Sequence, residues 1–307
     1  MKVMGSARDV RTDGRKVCVA IGVFDGVHLG HQQIIRQTIS DARQHESLAL
    51  IVTFDRHPSA IVAPDRQPRL IYSLPQKLRT LATLGADATL VFPFDKEFSR
   101  QTGADFIHLL AHDLGQIQSI CVGANFVFGY KRSGNVELLK NLGKRLEFNV
   151  HGLAAVALDG KVVSSTRIRE CLRLGDLDAA SQMLGRPYAM CGRIVEGDRL
   201  GRQIGFPTAN LDVTGLNIPP NGVYAGLTRV HDVTYRVALN IGHRPTLNSP
   251  VQALRVEAHL LDFKGDLYGE ELEIEVGDRL REERKFASPA QLKEQIAKDV
   301  QSIRTKA

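Results

Sequence analysis

What this sequence lacks narrows its reading first. No tract stays apolar for the roughly 18 residues that a membrane span needs, and residues 1–9 show no apolar core of a signal peptide. The expectation is a cytoplasmic protein with no membrane partner. Cysteine is scarce, and Cys18, Cys121, Cys171 and Cys191 are scattered without metal-site spacing, so buried, reduced thiols are expected. A Gly-Lys-Ser/Thr triplet is absent, which excludes a Walker A loop. Blocks of one charge are missing too. The formal net charge is +6, but positives and acids interleave, as in Arg281-Glu282-Glu283-Arg284-Lys285. No nucleic-acid partner is therefore expected, and small polyanionic substrates account for the basic surplus equally well.

What is present points to two domains. A chain of 307 residues with 43% hydrophobic and 24% charged residues can bury two ordinary cores. In the first half, apolar runs at 17–23, 48–54, 88–94 and 119–126 alternate with helical patterns, the signature of parallel strands covered on both faces. A doubly wound, Rossmann-like α/β sheet follows, with ligands expected beyond the carboxyl ends of its strands, where Asp25 to His31 and Asn125 to Gly129 fall.

Gly22-Val23-Phe24-Asp25-Gly26-Val27-His28-Leu29-Gly30-His31 reads as a strand running through a glycine turn into a helix. His28 and His31 share one helix face and can add ring N–H donors to the free amides there, while Gly30 lets the backbone approach phosphates. A capping or metal-binding histidine pair is the alternative. Further on, Ser164, Ser165 and Thr166 precede Arg167 and Arg169 at a second helix start, offering another anion cradle or a simple serine cap.

Texture changes at Gly185-Arg186-Pro187, a helix stop, giving domains of 1–185 and 186–307. Downstream, short apolar stretches at 188–195, 223–230, 235–241, 254–263 and 272–276 recur without helices between them, and clear alternation at 255–260 and 271–276 predicts an antiparallel β-barrel. A terminal helix follows, capped by Ser288 with Pro289 in its first position. Between the first two of these stretches, Gly197, Gly201 and Gly205 recur at four-residue spacing before Phe206-Pro207-Thr208-Ala209-Asn210. Read as a loop, the segment frees backbone for phosphates, and Thr208 and Asn210 offer hard oxygen ligands suited to Mg²⁺ with ATP. An ordinary glycine-rich loop is the alternative.

Taken with Thr53-Phe54-Asp55-Arg56-His57-Pro58 and Val122-Gly123-Ala124-Asn125-Phe126-Val127-Phe128-Gly129, the two N-terminal signatures resemble a nucleotidylyltransferase-type FMN adenylyltransferase module. Such a module is the N-terminal half of bacterial bifunctional riboflavin kinase/FAD synthetases. The glycine loop, joined to 219–224, Asn240-Ile241-Gly242-His243-Arg244-Pro245-Thr246 and 257–263, resembles the kinase barrel of the same family. The resemblance implies an ATP/FMN site made by Gly22, Phe24, Asp25, His28, Gly30, His31 and Asn125. Ser164, Ser165, Thr166 and Arg169 would complete it.

It also implies a kinase ATP loop with Gly197, Gly201, Gly205, Pro207, Thr208 and Asn210, the last two on Mg²⁺. Glu257 would take the proton from the ribityl 5′-hydroxyl; by spacing alone it is an exposed strand carboxylate. The implied reactions are phosphorylation of riboflavin by ATP to FMN, then adenylylation of FMN by a second ATP to FAD and pyrophosphate. Flavins are then substrates and products, and Mg²⁺ is the implied cofactor. Arg56 stands where the family has proline, and Val127 where an arginine is common. A monofunctional kinase with a scaffold N-terminal half is one rival reading, and a flavin-sensing protein that docks on nucleic acid is another.

Overall fold

Continuous apolar runs form strands because both of their faces are covered. In the computed structural model, which describes residues 1–197, 200–244 and 253–305, strands β1 (Lys2–Met4), β2 (Val17–Ile21), β3 (Leu48–Phe54), β4 (Ala88–Phe92), β5 (Ile117–Gly123) and β6 (Asn149–Leu153) make one sheet. Its order is β1-β4-β3-β2-β5-β6, and every neighbouring pair is parallel. Helices α1 (Leu29–Gln44), α2 (Leu74–Ala82), α3 (Gly103–Leu114) and α4 (Val136–Leu146) alternate with these strands.

The period of two sends alternate side chains to opposite faces of the sheet. Val17, Val19 and Ile21 of β2 and Leu50 and Val52 of β3 join Phe106, Ile107 and Leu110 of α3 in one core cluster. Cys18, Ala20 and Ala49 face the other way with Ile35 and Ile39 of α1. The sheet order reverses between β2 and β5, so the segments leaving their carboxyl ends diverge there. Gly22–Val27 follows β2 and Ala124–Gly129 follows β5, as expected. Three of the four expected runs end early, at Ile21, Phe92 and Gly123, because the following residues turn into loops. β1 and β6 were not expected: both are edge strands, and β6 alternates with polar Asn149 and His151.

By contacts the chain divides after Ser165, with Ile71–Ser73 and Thr166–Ala307 forming the second unit. Helices α5 (Ser165–Leu174) and α6 (Leu177–Leu184) come first, and Gly185 closes α6 in the left-handed region at φ 70°. Then follow β7 (Ala189–Val195), α7 (Leu200–Ile204), β8 (Ala209–Asp212), β9 (Gly222–Val230), β10 (Val233–Arg244), β11 (Ala253–Leu260), β12 (Glu271–Arg281) and α8 (Pro289–Thr305).

The strands close into an antiparallel barrel, β7-β8-β11-β10-β9-β12, which leaves no free edge. Two expectations are corrected. The glycine segment is no plain loop, since α7 lies inside it, and Ala209 and Asn210 belong to β8, a four-residue strand too short to announce itself by alternation. Asp198, Arg199, Pro245 and Thr246 of the two C-terminal motifs lie outside the described residues. Ser288 does cap α8, its Oγ accepting the Gln291 N–H at 3.3 Å. All four cysteines are free; Cys18, Cys121 and Cys191 are buried, but Cys171 on α5 is half-buried.

Two candidate nucleotide sites

The turn after β2 is strained. Phe24 and Val27 sit at φ 52° and 43°, in the left-handed region that L side chains seldom adopt, with Gly26 at 76° between them. Burial holds them there, since both side chains are sealed in the core. Gly22 is fixed by the same packing: a Cβ would come within 2.8 Å of the Phe24 ring. Asp25 is buried in this turn, and the Ser165 hydroxyl donates to its carbonyl at 3.0 Å.

His28 is the N-cap of α1, its Nδ1 accepting the His31 N–H at 3.4 Å. That bond puts its ring proton on Nε2, a donor. The two imidazoles stack 3.6 Å apart at 20°, and Phe24 meets His31 edge-on at 5.3 Å. Capping and stacking thus preset both rings at the positive end of a 16-residue helix. At Gly30 a Cβ would lie 3.2 Å from the His28 ring, so the glycine also gives that ring room.

Asn125 is exposed on the turn after β5. Ser164 and Arg169 are half-buried and Thr166 is exposed. Beyond the carboxyl ends of β3 and β4, Phe54, Phe94 and Phe98 make a chain of edge contacts that continues through Phe106 to Phe128, which stacks on Phe126 at 5.0 Å. Asp55 accepts from the Phe94 N–H and from Arg56, both at 2.8 Å. Burial would raise its pKa, but these bonds outweigh it and hold the carboxyl below its ordinary range.

Sequence reasoning missed Lys77. It is 7% exposed on α2, and its ammonium donates to the Val23 carbonyl at 3.2 Å, the Thr53 hydroxyl at 3.1 Å and the Phe54 carbonyl at 2.8 Å. Burial draws its pKa down to about 8, against the pull of Asp25 and Asp55. A signal was available: Lys77 falls on the apolar face that Leu74, Leu78 and Leu81 define.

In the barrel, a cavity of about 350 Å³ is lined by Gly201, Thr208, Asn210, Asn240 and Glu257, with Leu292 of α8 in its wall. Register explains the convergence. Glu257 on β11 pairs with Asn210 on β8 and with Asn240 on β10, so three polar side chains form one row across adjacent strands. Val256, Ala258 and Leu260 fill the barrel interior, which turns Arg255, Glu257 and His259 to the cavity.

The glycines again serve close packing. A Cβ on Gly197 would collide with the Asn210 amide, and one on Gly201 with the Phe206 carbonyl, with the Thr208 hydroxyl 3.2 Å away. Gly205 alone is required by its backbone, at φ 92°. His259, another residue missed in the sequence, donates from Nδ1 to the Pro207 carbonyl at 2.8 Å and meets the Phe206 ring edge-on at 5.5 Å. Thr208 and Asn210 are oxygen donors without a carboxylate cluster, and among the described residues no group of three His, Cys, Asp or Glu could hold a metal. Such a set suits a hard cation that arrives on a triphosphate.

Comparison with known proteins matches residues 10–167 to the FAD synthetase family and residues 184–307 to the riboflavin kinase family. A bifunctional riboflavin kinase/FMN adenylyltransferase of Haemophilus influenzae is 36% identical over 287 residues, 93% of this chain and 92% of its own. One from Escherichia coli K12 is 35% identical, covering 97% and 96%. A solved Streptococcus pneumoniae structure described as a macrolide-efflux protein superposes with a TM-score of 0.82 at 28% identity, covering 99% of both chains. Among the described residues here, no helix is long and apolar enough to cross a membrane. With both family matches in chain order and the relatives aligned nearly end to end, the chain belongs to the bifunctional riboflavin kinase/FMN adenylyltransferases, which make FMN from riboflavin and FAD from FMN.

Proposed function

We propose that the two reactions are divided between the described sites, with residues 1–185 transferring adenylyl groups and residues 186–307 phosphorylating riboflavin. The observation that carries the kinase assignment is the Asn210–Glu257–Asn240 row on the cavity wall. Glu257 accepts the proton of the ribityl 5′-hydroxyl as that oxygen attacks the γ-phosphorus of ATP, whose bond to the β–γ bridging oxygen breaks to release ADP. Thr208 and Asn210 would hold Mg²⁺ with the nucleotide, and the bound cation would offset charge on the phosphate oxygens. Gly197, Gly201, Gly205 and Pro207 shape the segment, with α7 inside it, against which the phosphates rest.

For adenylyl transfer no covalent nucleophile is needed. The FMN phosphate attacks the α-phosphorus and pyrophosphate leaves, so the work is orientation of two polyanions and offset of leaving-group charge. His28 and His31 at the positive end of α1 take the phosphates, supported by the Gly22–Gly30 turn, with Ser164, Ser165, Thr166, Arg169 and Asn125 completing the nucleotide and flavin contacts. Four free thiols and dependence on ATP favour the cytoplasm as its place of work.

The test follows riboflavin, FMN and FAD by chromatography with Mg-ATP in excess. In the wild type FMN rises and then converts to FAD. Glu257→Gln lowers riboflavin phosphorylation by about 100-fold or more while FMN supplied from outside still becomes FAD. His28→Ala with His31→Ala gives the reverse, FMN accumulating without FAD. Wild-type turnover in either variant removes the corresponding residues from their roles.

A further inference from the structure

Around the turn after β2, oxygen atoms gather in a way that would repel a triphosphate. The carbonyls of Val23 and Phe54 and the hydroxyl of Thr53 converge on one point, and the carboxylates of Asp25 and Asp55 are the charges that act on it. Arg56 pairs with Asp55, and the Lys77 ammonium is a buried cation inside the cluster.

We propose that Lys77 is a positioning residue for adenylyl transfer: its ammonium ties the residue before the strained Phe24–Val27 turn to the end of β3, and offsets the oxygens behind the surface that receives the ATP phosphates. This rests on the assignment of His28 and His31 to those phosphates. The geometry is specific to an ammonium. Its three N–H donors meet three acceptors, so Lys77 touches no substrate and acts through the turn. A neutral amine has one donor fewer and no charge, and a methionine has neither.

Ionisation separates this role from simple core filling. With a folded value of about 8, below the ordinary lysine value of 10.5, the native protein releases this proton first. The linked stability therefore rises as pH climbs from about 8 to 10.5, because the unfolded chain then holds more protons than the folded one. Adenylyl transfer should fall over the same start of that range. The groups acting on the ammonium are Asp25 on the β2 turn and Asp55 beyond β3, the latter paired with Arg56.

The experiment measures FMN to FAD conversion in the full-length protein from pH 6.5 to 9.5, with riboflavin phosphorylation as the internal control. In wild type, kcat/KM for ATP falls about tenfold per pH unit above about 8, whereas kcat falls only at higher pH, because bound triphosphate favours the charged amine. Lys77→Met loses about 100-fold in kcat/KM at pH 7 and keeps kinase turnover. Lys77→Arg recovers about tenfold of that loss and no longer shows the fall near pH 8. A flat wild-type profile, or Lys77→Met within threefold of wild type, overturns the proposal. If Lys77→Met does not fold, the wild-type and Lys77→Arg profiles decide. His28→Ala is run alongside: unchanged FAD synthesis in that variant would refute the phosphate assignment without touching the Lys77 result.

Discussion

At the scale of single residues, both sites depend on side chains that hold other side chains. His259 contacts the Pro207 carbonyl and the Phe206 ring, immediately before the oxygen donor Thr208 and three residues before Asn210. Replacing His259 by alanine removes one hydrogen bond of about 1 kcal/mol, so KM for ATP in riboflavin phosphorylation should rise about fivefold with kcat little changed. Steady-state kinetics at saturating riboflavin check this; an unchanged KM would mean that the loop stands without it. Residues of this kind were poorly legible in the sequence. The role proposed for Glu257 comes from family resemblance alone at the level of sequence, since a glutamate in an alternating strand is ordinarily solvated. Lys77 and His259 become meaningful only when acceptors 24 and 52 residues away arrive beside them.

Elements were more legible, and the physical reason is visible in which ones failed. β2 and β3 are buried at every position and announce themselves as apolar runs, and α8 carries its own Ser-Pro start signal. β8 has four residues and pairs on both sides, a property of the barrel and not of its own string. The packing around the glycines was not legible in the sequence: Gly30 lies against the His28 ring, and Gly201 against Phe206 and Thr208. Gly201→Ala therefore should push Thr208 out of place and reduce riboflavin phosphorylation by about 30-fold or more, with FMN to FAD conversion and far-ultraviolet circular dichroism unaltered. A variant with full kinase activity would show that the loop relaxes around the added methyl.

For the whole molecule, the proposed division gives two chemistries with the same donor nucleotide two different solutions to anion recognition. One uses a helix start on a parallel sheet, the other a glycine-lined segment entering a closed barrel. The row that carries Glu257 lies on the cavity-facing side of β11, a strand with hydrogen-bonded neighbours on both sides, whereas α7 spans only five residues and belongs to no ladder. Hydrogen–deuterium exchange should rank them accordingly, with the amides of Val256–Ala258 among the last to label and those of α7 among the first. The proposed proton acceptor would then share the lifetime of the barrel, while the segment proposed to face the nucleotide opens on its own; on that reading, warming the enzyme loosens its hold on ATP well before it erodes turnover.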